Sequence, residues 1–475
     1  MKHTVLVFAV LPFAFSSAGS YAAARVTVGT PSLSVQPAVG PPGVTVAITG
    51  SGFSAGEQVD LFIDRVALAT ATADSLGAFT TASVTIPAAE PPGLHRITAR
   101  GFTSKLRARA PFTVRTDWAS YRWDATHTGS NPFENVLSPA NMGSLKQLWS
   151  GSTGAAVDSA PAVVGGMVFV GAIDGTLYAL DAKSGSLKWA TPTGVIGGIR
   201  SSPSVTNGKV YITAGESAYA FDAVTGAQLW SAPTGGVVIS SPALAHGLVY
   251  HGHLDFGRIY ALDQATGATM WTADMGSTSI SSPTAAGGMV YATSQAGIVR
   301  AFDALTGSTI WSVALNRPAD ITMPVENGTV FFSTYSTIGA LDAMTGTPVW
   351  TAEINDTLFA SEPAVAGGRV FVGSGTGKVY AFDAATGLLD WASPIGRDFA
   401  TSSATVANGV LYIRDLNGEF YAVDAATGVL LVSIPLEIGK GGSSVTVADG
   451  VIYFGSADGT VRAFGLSKIA GRPRR

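Results

Sequence analysis

The sequence predicts an all-β protein, an eight-bladed β-propeller that is closed by strand exchange between its ends and preceded by a small β-sandwich. Three observations support this prediction. The 475 residues include 57 Gly and only 13% charged residues, a composition that suits many tight turns. Residues 31–114 contain short alternating runs separated by Gly, Pro and Asp. The rest of the chain repeats one motif about every 40 residues, which is the length of a propeller blade.

Residues 1–24 have the pattern of a secretory signal peptide. Lys2 is followed by the apolar run VLVFAVLPFAF, and small residues precede Arg25. The chain has no Cys, so neither a lipid anchor nor a disulfide is expected. We expect an exported protein, periplasmic or secreted, that is not a lipoprotein. No later segment has the pattern of a membrane span, and a net charge of −4 favours neither nucleic acid nor an acidic membrane surface as partner.

Residues 25–115 are predicted to form the sandwich, with about seven strands. The runs VTVAIT, VDLFID, FTTASVTI and HRITA alternate apolar and polar residues between turn signals. The stretches GSGFSAGEQVDLFID and AEPPGLHRITARG resemble the Ig-like modules of exported bacterial proteins, and this resemblance implies a fold but no particular function. Residues 116–146 are predicted to be a linker and a lead-in to the propeller.

The repeated motif is Ala-x-Asp-x-x-Thr/Ser-Gly-x-x-x-Trp, complete in six copies. Its aspartates are 39 to 41 residues apart: Asp181, Asp222, Asp263, Asp303, Asp342, Asp383 and, in a seventh copy, Asp424. The seventh copy has Val432 in place of Trp, and the eighth has Gly465 in place of Asp. Seven Trp are predicted to dock neighbouring sheets onto each other: Trp149, Trp189, Trp230, Trp271, Trp311, Trp350 and Trp391.

Each residue type of the motif has a physical role. The Asp accepts backbone N–H groups two residues on, and the Gly takes the left-handed conformation that leads into the outer strand. Burying each indole between sheets contributes roughly 3 kcal/mol. The propeller is assigned to residues 147–467. Its last repeat lacks an outer strand, so KQLWS at the start is predicted to pair with TVRAFG at the end and remove the exposed edges. Residues 468–475 are predicted to be a basic tail.

The spacing of the motif resembles the tryptophan-docking repeat of the PQQ-type (quinoprotein-like) propeller family, over about residues 118–466. The segment NVLSPANMGSLKQLW is similar to the lead-in of these propellers. The resemblance implies one of two functions. Some members are alcohol dehydrogenases that hold pyrroloquinoline quinone (PQQ) and calcium, and others are non-enzymatic scaffolds, such as the propeller lipoprotein of the outer-membrane β-barrel assembly machinery.

Several features that the resemblance leads us to expect of a quinone enzyme are missing. The chain has no adjacent Cys pair and no Cys-x-x-Cys-His haem motif. Of its nine Trp, seven are assigned to docking, and the other two, Trp118 and Trp123, fall in the predicted linker. By this count no Trp is left inside the propeller as a platform for a quinone. Tyr or Phe remains an alternative stacking residue.

The candidate ligand-binding residues lie at the propeller mouth. The inner strands begin with pairs of small hydroxyl residues; Asp158 and Arg200 precede such pairs in adjacent blades, and Glu362 replaces one Ser. These exceptions mark where a ligand would bind. The alternative is an Asp–Arg contact between neighbouring blades at a polar rim. Arg397–Asp398, Arg414–Asp415 and Lys440 are interpreted as solvated loop charges.

The pair His251 and His253 lies on one face of a strand, and His-x-His can bind zinc or copper. Asp255 aligns with ordinary turn aspartates, which leaves only two ligands, so structural histidines are the favoured interpretation. No nucleophile triad and no phosphate-binding loop are evident, and paired carboxylates for glycan hydrolysis stay open.

The sequence therefore favours an exported, monomeric, non-catalytic propeller without a cofactor. It would bind or scaffold a protein or another ligand of the cell envelope or the extracellular space through its loops. A PQQ- and calcium-dependent oxidoreductase and a surface adhesion protein are the alternatives.

Overall fold

The structure is a computed structural model that describes residues 30–467, except 256, 279–280, 320, 359–360, 398, 400–402, 437–442 and the side chain of Ala82. The predicted signal peptide, the predicted basic tail, Asp398 and Lys440 lie outside the described residues. Two compact units divide the chain: residues 30–36, 47–84 and 96–110 form one, and the other described residues form the second. No helix in the described part is long and apolar enough to cross a membrane.

The N-terminal module consists of two sheets, as predicted for a β-sandwich. The smaller sheet has three strands: Ser32–Gln36, Thr45–Ser51 and Phe79–Thr85. The larger has five, in the order Val39–Gly40, Arg107–Val114, Gly93–Gly101, Gln58–Ile63 and Val66–Thr72. Side chains alternate between buried and accessible along Thr45–Ser51, the period-2 pattern that the sequence predicted.

The rest of the chain forms sheets of four antiparallel strands, which we call blades and number in chain order. Blades 1 to 6 each consist of four consecutive strands. Blade 1 contains Ala162–Val164, Met167–Gly171, Thr176–Asp181 and Leu187–Pro192, and blade 2 contains Ser204–Thr206, Lys209–Ala214, Ser217–Asp222 and Gln228–Pro233. Blade 3 contains Ala243–Ala245, Leu248–Gly252, Arg258–Asp263 and Thr269–Asp274, and blade 4 contains Thr284–Ala286, Met289–Thr293, Ile298–Asp303 and Thr309–Ala314. Blade 5 contains Val325–Glu326, Thr329–Ser333, Thr337–Asp342 and Pro348–Glu353, and blade 6 contains Ala364–Ala366, Arg369–Gly373, Lys378–Asp383 and Leu389–Pro394.

Blades 7 and 8 recruit strands from the segment before blade 1. Blade 7 contains Thr405–Ala407, Val410–Arg414, Phe420–Asp424 and Leu430–Ile434, and Ser130–Asn131 adds a short parallel strand to it. Blade 8 contains Thr446–Ala448, Val451–Gly455 and Thr460–Leu466. Its outer strand is Leu145–Ser152, in which Trp149 lies opposite Ala463. The predicted pairing of KQLWS with TVRAFG is therefore confirmed. The described residues form eight such blades.

Hydroxyl groups on the first, inner strands connect successive blades. The Ser204 hydroxyl of blade 2 donates to Pro242 O of blade 3 at 2.5 Å, and the Thr284 hydroxyl of blade 4 donates to Met323 O beside blade 5 at 2.6 Å. The same bond joins Thr446 of blade 8 to Pro161 O beside blade 1 at 2.7 Å. The last blade thus contacts the first, and the blades form a closed ring.

The docking tryptophans lie between blades, as predicted. Six indole N–H groups donate to the carbonyl directly after the motif Asp of the next blade, at 2.9 to 3.2 Å; the acceptors are Ala182, Ala223, Gln264, Ala304, Ala343 and Ala384. Each docking ring also packs against an aromatic residue of its own blade; Trp271, for example, lies 5.9 Å from Tyr250. The Tyr250 hydroxyl donates to the same Ala304 carbonyl at 3.0 Å.

The motif turns also have the predicted geometry. Oδ1 of Asp222 accepts the N–H of Val224 at 3.1 Å and the N–H and hydroxyl of Thr225 at 2.8 Å each. These bonds lower the pKa of the Asp222 carboxyl. In blade 7, Val432 replaces the tryptophan, and Leu137 and Met142 of the lead-in join the buried cluster between blades 7 and 8. Met142 belongs to the 3₁₀ helix Pro139–Ser144.

Candidate functional site

The hydroxyl pairs at the propeller mouth serve the fold. The first member bonds the second strand of its own blade: the Ser201 hydroxyl donates to Thr213 O at 2.7 Å and accepts Thr213 N–H at 3.0 Å. The second member accepts a backbone N–H of the preceding blade, as Ser241 does from Ser202 at 2.9 Å. These described pairs therefore connect neighbouring blades.

Asp158 and Arg200 form an ion pair with Arg200 Nη1 3.0 Å from Asp158 Oδ2. The two residues belong to neighbouring connections, and both side chains are exposed to solvent. This is the contact between neighbouring blades that the sequence offered as the alternative to a ligand site. An exposed pair of this kind contributes little to stability, and it leaves Arg200 partly neutralised.

Residues 116–131, predicted to be a linker, follow the inner strands around the ring. In chain order, their carbonyls accept an N–H from the inner strand of six blades, at 2.7 to 2.9 Å: Trp118 from Val163, Ala119 from Val205, Ala125 from Ala285, Thr126 from Val325, Thr128 from Val365 and Gly129 from Val406. Asn131 Nδ2 donates to Val447 O of blade 8 at 2.8 Å. We call residues 116–131 the central segment, because it lines the channel that the inner strands enclose.

Buried side chains of the central segment hold it in the channel. Trp118, Arg122 and His127 are 1%, 3% and 0% exposed, and Trp118 packs in the core between blades 8 and 1. The sequence-based count that left no Trp inside the propeller was therefore wrong. The aromatic residues of this stretch were the available signal, since a solvated linker rarely carries so many.

Glu362 binds the central segment. Its carboxylate accepts the Tyr121 hydroxyl at 2.5 Å, Thr322 N–H at 3.2 Å and the Ser403 hydroxyl at 3.0 Å. Arg122 Nη1 lies 3.5 Å from the same carboxylate. Burial, together with the Glu362 charge, raises the pKa of Tyr121, so the phenol stays protonated as the donor.

The rest of the Arg122 guanidinium bonds two backbone carbonyls. Its Nη2 donates to Pro363 O of blade 6, and Nε donates to His127 O at 3.2 Å. His127 Nδ1 lies 3.1 Å from the Thr284 hydroxyl. Burial, followed by the Arg122 charge, lowers the pKa of His127 to about 3. The Arg122 cation and the Glu362 carboxylate are thus committed to contacts within the chain.

His251 and His253 are both buried in blade 3. The His251 ring stacks on Tyr260 with centroids 5.2 Å apart and planes 4° apart. Burial lowers the pKa of His251 to about 3. Asp255 accepts Val237 N–H at 2.9 Å, a turn contact. Within the described residues, no third ligand joins the two histidines, and a structural role for them stays a prediction.

Arg414 and Asp415 are only 3% and 5% exposed, so their interpretation as solvated loop charges was wrong. Arg414 Nη1 donates to Ser443 O at 3.1 Å and Gly455 O at 3.0 Å, and the guanidinium lies 4.5 Å from the Phe454 ring centroid. Burial lowers the pKa of Arg414 to about 10. A buried cation with carbonyl and aromatic partners is structural here.

Sequence reasoning also missed a groove beside blade 5. Seven blades place Tyr or Arg in the middle of the third strand, and blade 5 has Gly339 there. A cavity of about 240 Å³ lies along this strand, lined by Val313, Phe332, Leu341 and Thr351, among others. Comparing the repeats position by position would have revealed the missing side chain.

The residues of the channel do not fit a bound PQQ with its calcium ion. A flat, anionic cofactor needs an open cavity with uncommitted cations and a stacking surface. In the described part of the chain, the channel instead holds the central segment, its cation Arg122 is bonded to Glu362 and two carbonyls, and Trp118 is packed in the core. We therefore assign no catalytic step to a quinone.

Comparisons with known proteins agree with this architecture. A family model described as outer membrane protein assembly factor BamB matches residues 140–252, 214–321, 295–396 and 376–468, and a macroglobulin-like domain model matches residues 24–114. No curated protein matches the sequence.

Solved structures with the same fold include BamB and two dehydrogenases. BamB from Moraxella catarrhalis is 19% identical, with a TM-score of 0.59 over 68% of this chain and 99% of that one. A europium-containing methanol dehydrogenase is 16% identical, with a TM-score of 0.64 over 74% and 98%. A quinohaemoprotein alcohol dehydrogenase from Comamonas testosteroni is 16% identical, with a TM-score of 0.64 over 76% and 82%.

These structural likenesses establish the fold alone. The family matches, in contrast, cover well over half of the chain and confirm the predicted repeat and the Ig-like module. The chain belongs to the family described as outer membrane protein assembly factor BamB, in which PQQ-like repeats build a β-propeller.

Proposed function

We propose that the protein is an exported, non-catalytic propeller that binds or scaffolds a partner of the cell envelope or the extracellular space. The observation that carries this proposal is the central segment. In the described part of the chain, residues 116–131 bond to seven of the inner strands that enclose the channel. A propeller with its channel filled from within offers its loops and outer faces for binding.

The first test asks whether the channel admits a cofactor. The purified protein is incubated with PQQ and either calcium or europium ions, passed through gel filtration, and assayed for quinone absorbance and dye-linked alcohol oxidation. A quinohaemoprotein alcohol dehydrogenase freed of its quinone serves as the positive control. We expect neither retained quinone nor turnover. Either result would overturn the non-catalytic function.

The second test asks which face meets a partner. Ile196, in the connection after blade 1, is 99% exposed, and Leu187 on the outer strand of the same blade is 55% exposed. A photo-crosslinking amino acid is placed at each position in cells that make the protein. We expect a discrete crosslinked species from position 196 and none from position 187. Equal labelling, or no discrete species from position 196, would contradict binding through the mouth loops.

Export is tested separately. We expect the mature protein to be recovered from the periplasm or the medium, with Arg25 as its first residue. N-terminal sequencing of the fractionated protein measures this. A cytoplasmic protein that retains residues 1–24 would show that the leader is not used.

A further inference from the structure

The central segment bonds six inner strands through its main chain and the inner strand of blade 8 through the Asn131 side chain, and among the residues that the structure describes it leaves the inner strand of blade 3 without such a bond. Ala119 O accepts Val205 N–H in blade 2 at 2.7 Å, and Ala125 O accepts Ala285 N–H in blade 4 at 2.8 Å. Between them, in the described part of the chain, no hydrogen bond from the segment reaches Leu244 of blade 3. Leu244 lies opposite Val249 in a two-residue hairpin, which directs its N–H and C=O away from the hairpin partner.

The backbone of the central segment explains the gap. Arg122 and Trp123 have φ angles of 54° and 88°, a conformation that non-glycine residues rarely adopt. The cavity that this detour leaves at blade 3 measures about 300 Å³ and is lined by Ser120, Asp124, Leu244 and His246, among others. An open strand edge and a cavity therefore coincide.

The cavity has an unmatched negative group. Asp124 Oδ1 accepts the N–H of Thr126 at 2.8 Å and its hydroxyl at 2.5 Å. The His127 N–H also interacts with this carboxylate, but no cation of the described chain does. None of the described lining residues is Lys or Arg, and His246 is the other titratable one. Burial raises the pKa of Asp124, as expected for a carboxylate that gains no cation in the fold. A cation supplied by a ligand would provide the charged partner that the Asp124 carboxylate lacks.

We propose that this cavity, which we call the blade-3 pocket, binds an extended peptide segment of a partner protein that pairs with the Leu244 main chain and places a lysine on Asp124. Strand addition to an open edge supplies main-chain bonds, and a side-chain pocket supplies specificity. Lysine fits better than arginine, because one carboxylate oxygen suits a compact ammonium and not a two-pronged guanidinium. The inference rests on the proposed binding function and names the class of partner.

The probe is a fluorescein-labelled, end-blocked peptide, Thr-Val-Lys-Val-Thr, titrated against the full-length protein by fluorescence anisotropy. The same peptide with norleucine in place of Lys lacks the charge, and a version with N-methylated backbone amides cannot pair as a strand. We expect the Lys peptide to bind at least about tenfold more tightly than the norleucine peptide, because only the Lys peptide can donate a charge-assisted hydrogen bond to Asp124. The N-methylated peptide should not bind.

Two variants test whether Asp124 recognises the lysine. Asp124→Asn keeps an Oδ1 acceptor for Thr126 and should remove the preference for Lys over norleucine. Asp274→Asn replaces an exposed aspartate of blade 3 whose Oδ1 accepts Gly276 N–H; it is the matched control and should keep the preference. In an amide NMR spectrum, the Leu244 signal should shift on binding.

Equal affinity for the Lys and norleucine peptides would overturn the ammonium contact, and an unperturbed Leu244 amide would overturn the strand pairing. Lysine methyl ester competing as well as the peptide would indicate a small-amine site in its place. The quinone and crosslinking tests at position 196 do not involve this pocket, so a failure here is distinguishable from a failure of the proposed function.

Discussion

At the scale of single residues, the glycine of the repeated motif does more than turn the chain. Gly307 has a φ of 71°, and a Cβ added there would lie 2.6 Å from Cε3 of Trp271 in the preceding blade. The same close approach of a tryptophan occurs at Gly185, Gly226, Gly267, Gly346, Gly387 and Gly428. The glycine therefore provides both the turn and the surface on which the indole docks.

Replacing this glycine should separate its two roles. Gly307→Ala requires a left-handed Ala and displaces Trp271, so we expect a loss of about 3 kcal/mol in unfolding free energy. Gly287→Ala is the control: its φ is 58°, and no atom lies within 4 Å of an added Cβ, so about 1 kcal/mol should be lost. Urea unfolding measures both variants. Equal losses would contradict the docking role.

His251 gives a prediction about acid stability. Its folded pKa of about 3 lies below the ordinary value of 6.5, so between these pH values the unfolded chain binds a proton that the folded chain does not. Stability from this group is therefore lost as the pH falls through that window. His251→Phe, which keeps the stack on Tyr260, should weaken the loss of stability between pH 7 and pH 5 by on the order of 2 kcal/mol.

Urea unfolding of both proteins at the two pH values measures this difference. The variant and the parent losing the same stability on acidification would show that His251 titrates normally. Addition of zinc to the parent protein is the parallel control, and we expect it to leave the melting temperature unchanged.

At the scale of elements, the central segment contacts nearly every blade, and a single residue of the segment bonds each inner strand that it reaches. Arg122 is its main side-chain anchor, with Glu362, Pro363 O and His127 O as partners. Arg122→Ala removes a buried cation from its partners, and we expect a loss of about 3 kcal/mol. Arg200→Ala, which breaks the exposed pair with Asp158, should cost under about 1 kcal/mol.

Thermal melting of the two variants compares these effects directly. Similar melting temperatures for Arg122→Ala and Arg200→Ala would show that the segment lies in the channel without holding it together. A selective effect of Arg122→Ala would establish the segment as part of the core.

The central segment is also where prediction from sequence failed. Its bonds to the blades use main-chain carbonyls, which leave no side-chain periodicity to detect. The motif strands, in contrast, were predictable because Asp, Gly and Trp each have a role fixed by turn geometry and packing. Arg414 was misread for a related reason: its burial depends on Phe454 and on two carbonyls of blade 8, which no local pattern reveals.

At the scale of the whole molecule, the ring depends on its last strand. Thr460–Leu466 lies between Leu145–Ser152 and Val451–Gly455, and removing it exposes two strand edges. A chain ending at residue 459 should therefore self-associate in gel filtration and melt about 10 °C lower or more. A chain ending at residue 467 lacks only the predicted tail and should behave as the parent. A monomeric, unchanged 459-residue chain would show that closure adds nothing.

Pairing of the ends could be predicted, because the missing outer strand at one end and the surplus strand at the other fit a single repeat. The blade-3 pocket could not be predicted, because it results from positive φ angles at Arg122 and Trp123. Arg and Trp are not residue types that indicate such a conformation in a sequence.

The path of the central segment has a consequence for how the protein assembles during synthesis. Residues 116–131 are made before any blade, and they contact the blades in the order in which these are synthesised. A newly folded blade can therefore donate a hydrogen bond to a carbonyl of the central segment, which has already been synthesised. The segment thus provides a template for sequential assembly, and the strand Leu145–Ser152, made early, stays without its partner until the final residues arrive.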